Sequence, residues 1–365
     1  MNDDSRYWLG FSLVPEIGPR RIARLCEHFD TLADAWHAPE QALRYAGLDG
    51  IALKNLLVAR KRFDLPAEYE RVQKAGAHII SLNDERYPAL LKPLPDAPPI
   101  LYVKGELTPA DAKAITVVGT RKASHYGRTA AYQLSKELAA QGVTIISGLA
   151  QGIDAAAHQG ALDADGRTIA VLGCGIDRLY PREHETLAQK IIQQGALVSE
   201  FRLGTPPEAR NFPRRNRVLS GMSLGVLIAE APEKSGALIT ALFAAEQSRE
   251  IFAVPGSIFT AAGTGTNRLI QDGAKLIISA ADILNELDIA HHRAERHIRI
   301  AETLAKPDTD QEALLMQQMG AEPIHIDDLA RMAGLPVAVV SSVLTMLELK
   351  GLAQNVGHMQ YCLKS

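Results

Sequence analysis

Cysteine is nearly absent from this chain of 365 residues: there are three, Cys26, Cys174 and Cys362, scattered and odd in number. They form neither a zinc spacing nor a disulfide framework, which fits a reducing compartment and predicts a cytoplasmic location. Long apolar runs are missing too, for no stretch approaches the ~18 uninterrupted apolar residues of a membrane span. The opening MNDDSRYWLG lacks the basic-then-apolar layout of a secretory signal. Charge of one sign is not in excess. A net charge of −3 excludes a uniformly basic nucleic-acid coat but leaves room for a local basic patch. Aromatics make up only 5% of the chain, so stacking on a ligand would rest on few rings. Neither G-x-G-x-x-G nor G-x-x-x-x-G-K-[ST] occurs, so no dinucleotide, no ATP hydrolysis and no cofactor is indicated.

What is present is a large apolar fraction, 47%, in a chain too long for one ordinary domain. Residues 1–62 read as short helices: LVPEIGPRRIARLCEHF and LRYAGLDGIALKNLLVAR each place a Gly-containing turn before apolar residues at helical spacing. This is the pattern of a SAM-like or helix-hairpin-helix-like module, read as packing in preference to DNA contact. Residues 63–112 are a Pro-rich connecting segment that ends in a short strand within DAPPILYVKGEL. From 113 to 290, apolar runs such as AITVVGT, VTIISG and TIAVLGC alternate with helical stretches. The runs are continuous, as when both faces of a sheet are covered by helices, and predict a doubly wound, mostly parallel α/β sheet. A polar linker is expected over 291–310. Residues 311–365 then read as three short helices and an alternating HMQYCL, a winged-helix-like module. Its second helix, PVAVVSSVLTMLELK, is so poor in cations that protein contact or packing is expected of it.

Ligands of such sheets bind outside the carboxyl ends of the strands. Here those ends carry Gly119, Gly148, Gly173 and Gly236, interleaved with Arg121, Lys122, Arg182, Arg202, Arg210 and Lys234. Glycine lets a ligand approach the backbone, and the cations select an anion. The stretch NFPRRNRVLSG adds Arg214, Arg215 and Arg217 behind Pro213, which suits the first turn of a helix. Cations at a helix start oppose the macrodipole. They are explained either by salt bridges to Glu208 or Glu230, or by phosphate that neutralises Arg215 and Arg217 beside Arg121 and Lys234. Catalytic candidates are weaker. Asp154 and His158 share a helix face, but no third metal ligand stands out, and Cys174 reads as a small core residue.

Taken together, VVGTRKASHYG, ISGLAQGIDAAAH, GCGIDRLYP, SEFRLGTPP…NFPRRNRVLSGMS, EAPEKSGALITA and FAVPGS…GTNRLIQDGA resemble the DprA (Smf) family of DNA-processing proteins. The resemblance implies an extended Rossmann sheet that binds single-stranded DNA without catalysis, dimerises, and loads RecA in natural transformation or recombination. Single-strand-binding protein is a further candidate partner. Implied DNA contacts are Gly119, Thr120 and Arg121, Gly148, Arg182, Phe212, Arg215, Asn216 and Arg217, and Lys234, Ser235 and Gly236. The dimer contact would fall on Leu269 and Ile270. Phe212, Tyr126 and Tyr180 are the rings available for stacking, and phosphate contacts would dominate. The rival reading is a phosphoribohydrolase of the lysine-decarboxylase-like type. Against it, the residues after Thr240 in KSGALITALFAAE are Ala241, Leu242 and Phe243, where a carboxylate is needed.

Overall fold

The computed structural model describes residues 4–287, 309–320, 322–349, 352–357 and 359–363. The chain divides into two compact units, Met1–Leu284 and Asn285–Ser365. Most of the expected linker, 291–308, lies outside the described residues.

The first unit opens with six helices: α1 (Ser5–Ser12), α2 (Pro19–His28), α3 (Leu32–His37), α4 (Glu40–Tyr45), α5 (Gly50–Arg62) and α6 (Leu65–Lys74). Their starts are written locally. Pro19 opens α2, the Thr31 hydroxyl accepts from Asp34 N–H, and the Asp64 carboxylate accepts from Ala67 N–H. Phe11, Leu25, Leu43 and Leu56 are wholly buried, each contributing about 1.5–3 kcal/mol of transfer free energy. They share one continuous core with Ile79, Tyr102 and Leu197 of the sheet. Packing therefore does not break near residue 62.

The sheet has nine strands: β1 (His78–Ser81), β2 (Ile100–Gly105), β3 (Ala114–Gly119), β4 (Thr144–Ser147), β5 (Thr168–Val171), β6 (Ala196–Ser199), β7 (Gly225–Glu230), β8 (Glu250–Ala253) and β9 (Lys275–Leu276). Their spatial order is β1-β2-β6-β5-β4-β3-β7-β8-β9. Strand β2 runs antiparallel to both β1 and β6, and every pairing from β6 across to β9 is parallel. Strands β4 to β7 are buried along their whole length. The covering helices are α7 (His125–Ala140), α8 (Ile153–Leu162), α9 (Glu185–Gln194), α10 (Asn211–Gly221), α11 (Ala237–Glu246) and α12 (Thr264–Gln271). From β3 the chain steps outward through β4 to β6, then returns to the other side of β3 as β7. That reversal makes the carboxyl ends of β3 and β7 the topological switch point, where open α/β sheets form their crevice.

In the second unit, three helices (Asp310–Gln318, Ile326–Ala333 and Val337–Leu349) pack around Leu315, Leu329, Val340, Leu344 and Leu347. Gly334 ends the middle helix in the left-handed conformation, φ 64°. A three-stranded antiparallel sheet places Gln360–Leu363 between Ile324–His325 and Ala353–Gly357. This is a winged helix. Among the described residues no single helix is long and apolar enough to cross a membrane.

Candidate nucleic-acid interface

Helix α10 holds NFPRRNRVLSG, with Pro213 inside its first turn. An α-helix turns about 100° per residue, so residues three, four and seven apart share a face. Phe212, Arg215, Asn216 and Leu219 form that face, and all four line a groove of about 600 Å³ at the switch point. The opposite walls come from Thr120, Arg121 and Lys122 after β3 and from Lys234, Ser235 and Gly236 after β7. Arg121, Lys122 and Lys234 are exposed. Asn216 joins two walls by donating from Nδ2 to the Gly236 carbonyl at 3.3 Å.

The groove's aromatic centre is Phe212. The Arg121 guanidinium lies 4.9 Å from its ring centroid, and the Tyr180 ring lies 6.0 Å away at a tilt of 47°. Such a cation–ring contact is worth ~0.5–1 kcal/mol where exposed. Gly173 makes the ring's position possible, because a Cβ there would stand 2.8 Å from it.

Arg215 is only 5% exposed and forms the groove's floor. Its Nη1 donates to the Gly148 carbonyl at 2.9 Å and also to the Val171 carbonyl, bridging the carboxyl ends of β4 and β5. Burial lowers its pKa to about 10, so it stays cationic at neutral pH. Asp154 is buried nearby on α8. Burial raises its carboxyl above the ordinary range, and Arg215 opposes that rise. The arginine expected to meet phosphate is thus largely occupied by the protein.

Arg217 is placed apart from Arg215. Two residues beyond Arg215, it points about 200° round the helix, away from the groove. It pairs with the buried Glu200 and with Asp96, the latter at 3.6 Å. Arg214 reaches the same Glu200 at 3.2 Å. Neither of the two acids expected to balance these arginines does so. Glu208 pairs with Arg210 at 2.6 Å. Glu230, at the end of β7, accepts from Ser124 N–H at 2.7 Å and from Ser124 Oγ at 2.6 Å, placing a carboxylate at the start of α7. The Thr120 N–H donates to the Glu230 carbonyl at 2.8 Å, so the β3 and β7 loops are tied together twice.

Of the remaining candidates Asp154 lines the groove, and the others fall outside it. Arg182 sits exposed on a short 3-10 turn and is not in its lining. Tyr126 donates its hydroxyl to the Pro255 carbonyl at 2.8 Å. Asp154 and His158 do not converge on a shared ligand: Asp154 accepts from Ala150 N–H, and His158 Nδ1 bonds the Thr168 hydroxyl at 2.7 Å. That hydroxyl donates to the Ile145 carbonyl, so the imidazole Nδ1 is the donor to it. Burial depresses His158 to about pKa 3, assisted by His184 and Arg215. The Cys174 thiol, pushed up to about 11 by burial, donates to the Arg178 carbonyl and acts as core. On α12, Leu269 packs against the sheet's core and Ile270 is half-buried. The more exposed apolar residues at that end of the sheet, Leu276 and Ile278, were not picked out by sequence.

The fold and groove define a Rossmann-like sheet with a cationic, aromatic-centred crevice, in a chain that also carries a winged helix. A family model for DNA recombination-mediator protein A matches residues 78–288, and one for the DprA winged helix domain matches residues 300–357. The chain belongs to the DprA (Smf) family of DNA-processing proteins. It is 34% identical over 393 residues to Protein Smf of Synechocystis, covering 99% of both chains. The X-ray structure of DNA processing protein A from Streptococcus pneumoniae superposes with a TM-score of 0.66 at 33% identity, over 77% of this chain and 96% of that one. DNA processing protein A from Helicobacter pylori, described by its single-stranded DNA binding mode, gives 0.52 at 30%, over 58% of this chain and 97% of that one.

Proposed function

We infer that the switch-point groove binds single-stranded DNA and that the protein, as a homodimer, loads RecA onto it in natural transformation or recombination, in the cytoplasm. The observation that carries this reading is Arg121 lying over Phe212 in a groove also lined by the exposed Lys122 and Lys234. Bases of any sequence stack on a ring, worth ~1–3 kcal/mol each, while the cations follow the phosphates. The Helicobacter relative's single-stranded DNA binding supports the same ligand. Catalysis has no part in this reading, because α11 presents Ala241, Leu242 and Phe243 after Thr240 and offers no carboxylate there. For the dimer, the candidate contact is the α12–β9 end of the sheet, where Ile270 is joined by the exposed Leu276 and Ile278.

A gel shift with single- and double-stranded DNA of equal length across a salt series tests the binding, with AMP hydrolysis assayed beside it. Preference for the duplex, or hydrolysis without DNA binding, would reject the reading. For the partner, the test is RecA filament formation on DNA already coated with single-strand-binding protein. Acceleration is expected; unchanged kinetics with intact DNA binding would reject RecA loading alone.

A further inference from the structure

The segment Pro206–Pro213 separates two concave sites. Pro207, Ala209, Phe212 and Pro213 face the switch-point groove, while Pro206, Glu208, Arg210 and Asn211 face a second cleft of about 560 Å³. The far wall of that cleft belongs to the N-terminal helices, through the α5–α6 corner at Arg62 and Phe63 and through Arg71. Its charges do not cancel. Glu68 is paired with Arg71 at 2.9 Å and Glu208 with Arg210 at 2.6 Å, whereas Arg62 and Arg202 have no ion pair among the described residues. Asp177 accepts from Gly204 N–H at 2.8 Å and so fixes the loop that carries Arg202.

The second cleft also repeats the chemistry of the first. Arg62 stands 5.9 Å from the Phe63 ring centroid, as Arg121 stands 4.9 Å from that of Phe212. A half-buried ring under a guanidinium, with surplus positive charge beside it, is the pairing that a stacked base and its phosphate require. Two such sites on either side of one short segment form a track longer than either.

We propose that a single strand leaving the switch-point groove crosses the 206–211 segment into this second cleft, so that the N-terminal helices, through Arg62, Phe63 and Arg202, lengthen the nucleic-acid site. The proposal rests on the reading of the first groove as a single-strand site. It also makes the extension a property of chains that carry these helices.

The test uses the full chain and fluorescent oligothymidylates of about 6 and about 20 nucleotides. In the double variant Arg62→Ala/Arg202→Ala, affinity for the long strand is expected to fall ~10-fold, and its salt slope by about 1.4 for two lost phosphates. Affinity for the short strand should stay at the wild-type value. Phe63→Leu, which keeps apolar packing, should weaken only the long strand as well. Equal losses at both lengths, or no loss at the long one, would overturn the proposal. Arg121→Ala is run alongside and should weaken both lengths. If it weakens neither, the reading of the first groove fails, and the extension fails with it.

Discussion

The Arg215 guanidinium occupies the space that a side chain at Gly148 would fill: a Cβ there would lie 2.5 Å from Nη2 and 2.6 Å from Nη1. Position 148 is glycine so that an arginine from a distant helix can cover the carbonyls of Gly148 and Val171. Arg215→Ala leaves those two buried carbonyls without its donors, and is expected to cost about 1–3 kcal/mol for each. Gly148→Ala alone should cost about 1–3 kcal/mol by displacing the guanidinium. In the Arg215→Ala background the same change should cost almost nothing. Urea denaturation of all four proteins closes this cycle, and additive losses would show that the two positions do not share the space.

The exposed cations behave differently. Arg121→Ala and Lys234→Ala should each weaken single-strand binding and reduce the slope of log affinity against log salt by about 0.7. Melting temperatures should stay within a degree or two of wild type, because neither side chain is buried. Fluorescence anisotropy across a salt series, beside a melt, separates these variants from Arg215→Ala.

Acid sensitivity should arise from His158. Its folded pKa is depressed to about 3, so the unfolded chain binds the proton first as pH falls below the ordinary histidine range. This stability is fully present above about pH 6.5 and drains away toward pH 3, at up to about 1.4 kcal/mol per unit. Asp154, whose carboxyl is raised by burial, acts in the opposite direction. Comparison with His158→Gln between pH 6.5 and 5.5 therefore isolates the histidine. Denaturant midpoints there should slope in wild type and flatten in His158→Gln; an unchanged slope would assign the effect to other groups.

A chain ending near residue 290 should fold, bind single strands and remain dimeric, because the sheet and its groove lie within the unit ending at Leu284. Ile278→Asp in that shortened chain should give a monomer by light scattering while leaving short-strand affinity intact. A dimer that survives the substitution would place the contact elsewhere.

Much of this was legible in the sequence. Continuous apolar runs gave the central strands because β4 to β7 are buried on both faces. Strand β1, His78–Ser81, escaped notice as four residues in a mixed segment, and only its partner β2 was read as a strand. At the site, residue types were readable and directions were not. Helical periodicity alone would have put Arg215 with Phe212 and Asn216, and Arg217 on the other side. What it could not supply was Glu200, seventeen positions upstream, which is brought to Arg217 only by the return of the chain from β6 into α10. Nor could it supply Gly148 as the seat of Arg215, 67 positions away.

The ties from Glu230 to Thr120 and Ser124 have a consequence for the ligand. They hold the β3 and β7 walls of the crevice to each other across the reversal in strand order, so on the single-strand reading the strand must do the adapting to that wall. On that reading the conformational cost sits in the nucleic acid: bases stacked on one another would have to part for one to lie on Phe212. Strands that stack strongly in solution, such as oligoadenylates, should bind with a larger unfavourable enthalpic offset than oligothymidylates of equal charge. Any preference among sequences would report the stiffness of the strand and not a reading of its base edges.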